Sequence, residues 1–299
     1  MEQLLKILAQ KGPLTGKDLV KETGLDIFSA WKKCNVSERV LNLTVSKRYL
    51  RLDKKIDGYA RLSPSIMREF LNYTIIGLEI QKPVMQIMVQ DLHQEIADIS
   101  ARKMNLAWDT ALRIINHCSD SKLLKEQVVF IIAGDVVFNM AHSEPRPELS
   151  TGELVKGSDL DLIIVANNLP DKTLQEIDRI VYNEKYSLLV NPVSKEELDY
   201  IIKNIDVVAE QLRFSSFKSM IASKILYEGL YLAGSEKLHK TIKEMLIDFG
   251  IKEKIDSMEK KAIKDRAEAE SILSRALVSE ITEELMSLFY TTEEKEEIF

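Results

Sequence analysis

Lys156-Gly157-Ser158-Asp159-Leu160-Asp161-Leu162-Ile163-Ile164-Val165 sets two aspartates, one residue apart, at the mouth of an apolar strand. A strand sends residues i and i+2 to the same side, so Asp159 and Asp161 present their carboxylates together. The tract after them suits burial, and Gly157-Ser158 suits a tight turn ahead of it. Two adjacent hard oxygen ligands are what Mg²⁺ (or Mn²⁺) asks for, with phosphate oxygens completing its shell. A metal so held serves phosphoryl or nucleotidyl transfer. On its own, Asp-x-Asp more often marks only the solvated start of a strand, so the surroundings decide.

Upstream runs Val128-Val129-Phe130-Ile131-Ile132-Ala133-Gly134-Asp135, a second apolar strand that ends in glycine. Residues 136–141 are expected to begin a helix, whose free N–H groups would face a phosphate.

Strand, glycine turn, helix start, then strand with Gly-Ser-Asp-x-Asp resembles the nucleotidyltransferase superfamily of DNA polymerase beta, over roughly residues 121–240. It is most similar to the small bacterial and archaeal members, whose pattern is a strand, Gly-Ser, a helix, then Ser-Asp-x-Asp. Ser158-Asp159-Leu160-Asp161 matches the second half, which in that family carries the two metal-binding aspartates. Gly134 matches the first half, but Asp135 stands where the family usually has a serine that helps hold the triphosphate. The resemblance also implies a third carboxylate on a later strand. The stretch 185–193 is expected to be that strand and contains no acid; Ser187 or Asn191 lies where one would look, and Glu184 just precedes it. A helix ending in a glycine-bounded apolar segment, Lys224 to Gly234, is a further family-like feature. Lys224 and Lys218 are its candidates for reaching phosphates.

The composition is that of an ordinary soluble globular chain, 45% apolar and 29% charged, and 299 residues suffice for two or three domains. No run nears the roughly 18 apolar residues of a membrane helix. Two distant cysteines, Cys34 and Cys118, suggest neither a disulfide framework nor a zinc site, and a reducing cytoplasm is the expected setting. The net charge of −6 is uneven: residues 1–80 hold 14 Lys+Arg against 9 Asp+Glu, and the remainder 27 against 38. A basic front on an acidic body suggests a polyanionic partner at one end.

That front reads as three short helices and a hairpin. Leu4, Leu5 and Leu8 form one apolar face; Thr15 caps a second helix closed by Gly24; a third begins near Asp26. Residues 48–53 and 59–62 flank Lys54-Lys55-Ile56-Asp57-Gly58, a glycine turn. Three helices and a two-stranded wing resemble a winged helix-turn-helix domain. The resemblance implies DNA or RNA contact through Lys32, Lys33, Lys47, Arg48, Arg51, Lys54 and Lys55, mostly to phosphates. Beyond it, Ser63-Pro64 is expected to start a helix running to about residue 80, with another from Pro83 to Cys118. Residues 194–220 read as a helix capped by Ser194, through Leu198, Ile201 and Ile202. Residues 251–289 read as one or two amphipathic helices, apolar enough (through Ile281 and Leu285) to suggest a homo-oligomer, before an acidic tail at 291–297.

The expected architecture is therefore α+β: a winged helix at 1–62, a helical connector at 63–120, a nucleotidyltransferase-fold mixed sheet at 121–240, and C-terminal helices from 241. The expected activity is Mg²⁺-dependent transfer of a nucleoside monophosphate from a nucleoside triphosphate to an acceptor hydroxyl. Asp159 and Asp161 would hold metal, and Gly134, Asp135, Ser158, Lys218 and Lys224 would line the nucleotide. The rival expectations are a nucleotide-sensing DNA-binding regulator with an inactive fold, and an antitoxin-type partner-binding module.

Overall fold

A computed structural model of the chain describes residues 1–148, 151–277, 282–291 and 294. Along it run α1 (Glu2–Lys11), β1 (Leu14–Thr15), α2 (Gly16–Thr23), α3 (Ile27–Val36) and β2 (Leu41–Thr44). There follow β3 (Tyr49–Leu52), β4 (Ala60–Ser63), α4 (Ile66–Tyr73), β5 (Thr74–Gly77) and the long α5 (Lys82–His117). The middle holds α6 (Ser121–Gln127), β6 (Val128–Ala133), β7 (Pro145–Pro147), β8 (Leu154–Lys156), β9 (Leu160–Ala166) and α7 (Asp171–Val190). Last come β10 (Leu198–Asn204), α8 (Ile205–Gln211), α9 (Phe217–Glu228), β11 (Leu230–Gly234), α10 (Glu236–Asp248), α11 (Ile251–Arg275) and α12 (Glu283–Phe289). The chain is thus mixed α/β with several small sheets, and among the described residues no helix is long and apolar enough to cross a membrane.

Two compact units divide it, one of residues 1–95 with 258–299, the other of residues 96–257. In the terminal unit the local signals act as the sequence suggests. Thr15 accepts from the Asp18 N–H at the head of α2, Gly24 ends that helix in the left-handed region, and Asp26 caps α3. The expected hairpin forms, β3 against β4 with Leu52 opposite Ala60, but as a sheet of its own. The sheet beside the three helices is instead β1-β5-β2, antiparallel, with Leu14 opposite Ile76 and Leu41 opposite Gly77.

Its central strand lies where the helix beginning at Ser63-Pro64 was expected to continue. The β-branched run Thr74-Ile75-Ile76 ends that helix at Tyr73, and its cap is Ser65, which accepts from the Arg68 N–H. The core gathers Leu4, Leu8, Leu19, Phe28, Trp31, Phe70 and, from the chain's far end, Leu273 and Phe289. The Phe289 ring stands edge-on to Phe28 with centroids 5.3 Å apart.

One buried acid ties this unit together. Glu69 accepts from Arg48 Nε at 2.9 Å and Nη2 at 2.6 Å, from Arg266 Nη2 at 2.7 Å, and from the Ser46 hydroxyl. Burial works to raise its carboxyl, but the Arg48 hydrogen bonds and the Arg266 charge outweigh it and hold Glu69 below the usual range.

In the central unit the strand order is β10-β9-β6-β11. The β9–β10 pair is parallel and needs a crossover, which α7 supplies; β6 lies antiparallel to both β9 and β11. Phe130, Ile132, Leu160, Leu162, Ile164 and Leu198 share one face and pack with Ala111 and Ile114 of α5 and with Ile177 and Val181 of α7. Val129, Ile131, Ile163 and Val165 point the other way and are buried too, as unbroken apolar runs require.

Three expectations fail in this unit. Residues 185–190 are not a strand but the last turns of α7, whose Leu174, Ile177, Ile180, Val181 and Leu188 keep helical spacing. Residues 198–204 are not helix but strand. Leu198, Ile201 and Ile202 fit a helical period, yet Leu198, Tyr200 and Ile202 also alternate, and pairing with β9 selects the alternation. Residues 136–141 form no helix; Asp135 to Asn139 is a succession of turns, with Asn139 at φ 60°. The two C-terminal helices expected in 251–289 are present as α11 and α12. Ile281, and all of the acidic tail except Thr291 and Glu294, lie outside the described residues.

Replacing Glu69 by alanine removes one of two acids from the buried Arg266, which keeps Glu270 and the Pro64 carbonyl, and should cost roughly 1.5–3 kcal/mol, read from denaturant unfolding. Because Glu69 titrates below its unfolded value, the stability it supplies is present above that value and lost as pH falls through the folded one. The gap between wild type and Glu69→Ala should therefore close on acidification.

Candidate functional site

β6 ends opposite the start of β9, with Ala133 paired to Asp161. The next residue, Gly134, has φ +75°, and a Cβ there would lie 2.1 Å from Asp161 Oδ2. Glycine is what lets the chain turn across the Asp161 carboxylate. On the other side of β9, Asp199 of β10 stands in register with Asp161. In-register residues of paired strands share a face, so Asp161 and Asp199 are lateral neighbours at the same end of the sheet. Asp159 precedes β9 by one residue and is partly exposed, as is Asp161.

The turn ahead of Asp159 is tightly held. Gly157 has φ +63°, and a Cβ on it would meet the His142 carbonyl oxygen at 1.9 Å. Ser158 is buried; its N–H donates to His142 O at 3.1 Å and its hydroxyl to Asp135 Oδ2 at 3.0 Å. The hydroxyl expected to face a phosphate thus supports Asp135, and it also accepts the His142 N–H.

Counter-charges surround the acids. Arg146 donates to Gly157 O at 2.9 Å, pairs with Glu197 at 2.8 Å and stands 3.6 Å from Asp159 Oδ1. Asp199 is paired with Lys185 at 2.8 Å. On α9, Lys224 pairs with Glu228 at 2.5 Å, and the Glu228 carboxylate accepts the Gly134 N–H. A carboxylate therefore takes up the backbone donor a phosphate oxygen would want. Lys218, in the first turn of the same helix, is exposed.

The electrostatics follow from this crowding. Burial raises the Asp161 carboxyl well above the usual range, and Asp159, Asp135, Asp199 and Glu228 push it further. Burial also raises Asp159, with Arg146 opposing and Asp135 and Asp199 adding. Glu228 is raised by burial against the pull of Lys224. Among the described residues, no three acid, histidine or cysteine side chains are drawn together closely enough to hold a metal by themselves. Asp159 and Asp199 lean toward Arg146 and Lys185 instead.

Sequence reasoning missed Asp199, Arg146 and Glu228. The alternation around Asp199 was the available signal, masked because Leu198, Ile201 and Ile202 also keep helical intervals. The seven basic residues expected to contact nucleic acid scatter over α3, β3 and the loops. Lys32 donates to the Ala276 carbonyl and Arg48 is bound to Glu69 and Glu270; Lys47, Arg48, Lys54 and Lys55 are all exposed. No family model matches the chain, and no curated protein matches it.

Gly134→Ala should displace the Asp161 carboxylate and force an L-residue into the left-handed region, at a cost of roughly 1–2 kcal/mol before the clash is counted; chemical unfolding measures it. Asp161→Asn should do the reverse. Since the folded Asp161 value lies above the unfolded one, the folded state holds the extra proton between them, and its stability falls as pH rises through that window. The asparagine variant should be the more stable protein at neutral pH, with an advantage that vanishes toward pH 3.8 in thermal melts.

Proposed function

We propose that the central unit is a nucleotidyltransferase, moving a nucleoside monophosphate from a nucleoside triphosphate to an acceptor hydroxyl with Mg²⁺. The observation that carries this reading is Asp199 in register beside Asp161, with Asp159 two residues along. It supplies the third carboxylate that the resemblance implies, on the strand next to the Asp-x-Asp. Mg²⁺ needs only one or two carboxylates beside phosphate oxygens; Asp159 and Asp161, both raised by burial and by neighbouring acids, gain most from a positive ion, and Asp199 would join them on turning from Lys185. Asp159, Asp161 and Asp199 would hold it. Such an ion would supply neutralisation of the charge that develops on transfer.

The chain's own residues would do the rest. Gly134 lets the chain pass close to the Asp161 carboxylate, and its N–H would reach a phosphate on release from Glu228. Lys224 would exchange Glu228 for a phosphate, and Lys218 lies on the same helix. Arg146, already shared between Asp159 and Glu197, would orient Asp159. The reading of an inactive sensor leans on a missing third acid and on Asp135 in place of serine; Asp199 weakens the first ground, and the second stands. For the terminal unit, a winged-helix-like role in nucleic-acid contact would fall to Lys47, Lys54 and Lys55 on and before the hairpin.

The test is incubation with each labelled nucleoside triphosphate and Mg²⁺ or Mn²⁺, followed by pyrophosphate release and a labelled product. Asp159→Ala, Asp161→Ala and Asp199→Ala should each reduce release to background while the far-ultraviolet spectrum stays unchanged. Metal-dependent triphosphate binding that survives all three substitutions in calorimetry would remove the proposal.

A further inference from the structure

Lys103 is wholly buried, 1% exposed, and lies on α5 within the central unit. An ammonium has three donors, and each is used here. One goes to the Lys156 carbonyl at 2.8 Å, one to the Ser158 carbonyl at 2.6 Å and one to the Glu196 carboxylate. The two carbonyls bracket Gly157, whose own carbonyl accepts from Arg146. Three successive carbonyls immediately before Asp159 therefore point at cations.

The third contact reaches the neighbouring strand. Glu196 is 5% exposed and precedes β10, three residues before Asp199. Backbone bonds already run between the same two segments, from Lys156 N to Lys195 O and from Leu160 N to Glu197 O. Lys103, like Arg146, is thus joined to both stretches that carry the carboxylates, the Asp159 turn and the lead-in to Asp199.

We infer that Lys103 is a positioning residue, setting the spacing of Asp159 and Asp199 for a divalent cation through the turn and through Glu196. Its donors are spent, so it touches neither ion nor nucleotide. The inference rests on the nucleotidyltransferase reading. Groups that orient metal ligands from behind are commonly worth about 10–100-fold in metal affinity.

The experiment measures Mn²⁺ affinity by electron paramagnetic resonance on the full chain, beside Tm. Lys103→Met alone leaves Glu196 an unpaired buried charge and can fail to fold. The decisive variant is Lys103→Met combined with Glu196→Leu, which removes both charges at similar volume, a replacement often neutral for stability. The expected result is a folded double variant, stable at the assay temperature, whose Mn²⁺ dissociation constant rises about 10–100-fold. Excess Mn²⁺ should still saturate it. A folded double variant with wild-type Mn²⁺ affinity would make Lys103 a packing element and overturn the inference while leaving the nucleotidyltransferase reading intact. Wild-type protein that binds no Mn²⁺ at all would overturn both.

Discussion

The lateral registry of β9 between its two neighbours is the constraint on which the site depends. Because side chains alternate with a period of two, a slip of one residue against β10 would send Asp199 to the face opposite Asp161. A slip against β6 would move Gly134 away from the Asp161 carboxylate, which needs a missing Cβ beside it. The apolar runs on both faces fix that registry. Phe130, Ile132, Leu162 and Ile164 have no other place in the core, and Ile131 and Ile163 are buried opposite them. Hydrophobic packing thus determines where the charges stand.

Having set acids side by side, the fold must also bear their repulsion. It does so with specific cations rather than with solvent alone. Arg146 serves Asp159 and Glu197, Lys185 serves Asp199, and Lys224 serves Glu228. Asp161, facing four other carboxyls, is the one left most strongly raised. Strain of this kind is common where function requires charge, and it is offset by the rest of the structure. The same logic appears inverted in the terminal unit, where one acid, Glu69, gathers two arginines.

Much of this was legible beforehand. β6, β9 and their glycine turns follow from uninterrupted apolar runs ending in Gly134 and beginning after Gly157. The first three helices follow from Thr15, Gly24 and Asp26. What the sequence concealed were elements whose periods conflict. Leu198, Ile201 and Ile202 satisfy both a helix and a strand, and only the partner strand decides. Leu188-Leu189-Val190 looks like a short strand until the preceding turns of α7 are counted with it. Arg146 and Lys103 were hidden for another reason: each acts across tens of residues of chain, and no local spacing announces a contact made at that distance.

The composition of the terminal unit bears on the order in which the chain is made. Its core includes Leu273 and Phe289, and its central acid is held by Arg266, all near the end of the chain. Residues 1–95 leave the ribosome first, yet they wait for the 162 residues of the central unit before their closing helices exist. At ordinary elongation rates that interval is roughly 10–30 s. During it Phe28 and Trp31 lack the Phe289 ring, and Glu69 lacks one of its arginines. The nascent first segment therefore carries Phe28 and Trp31 without the ring that covers them in the finished unit.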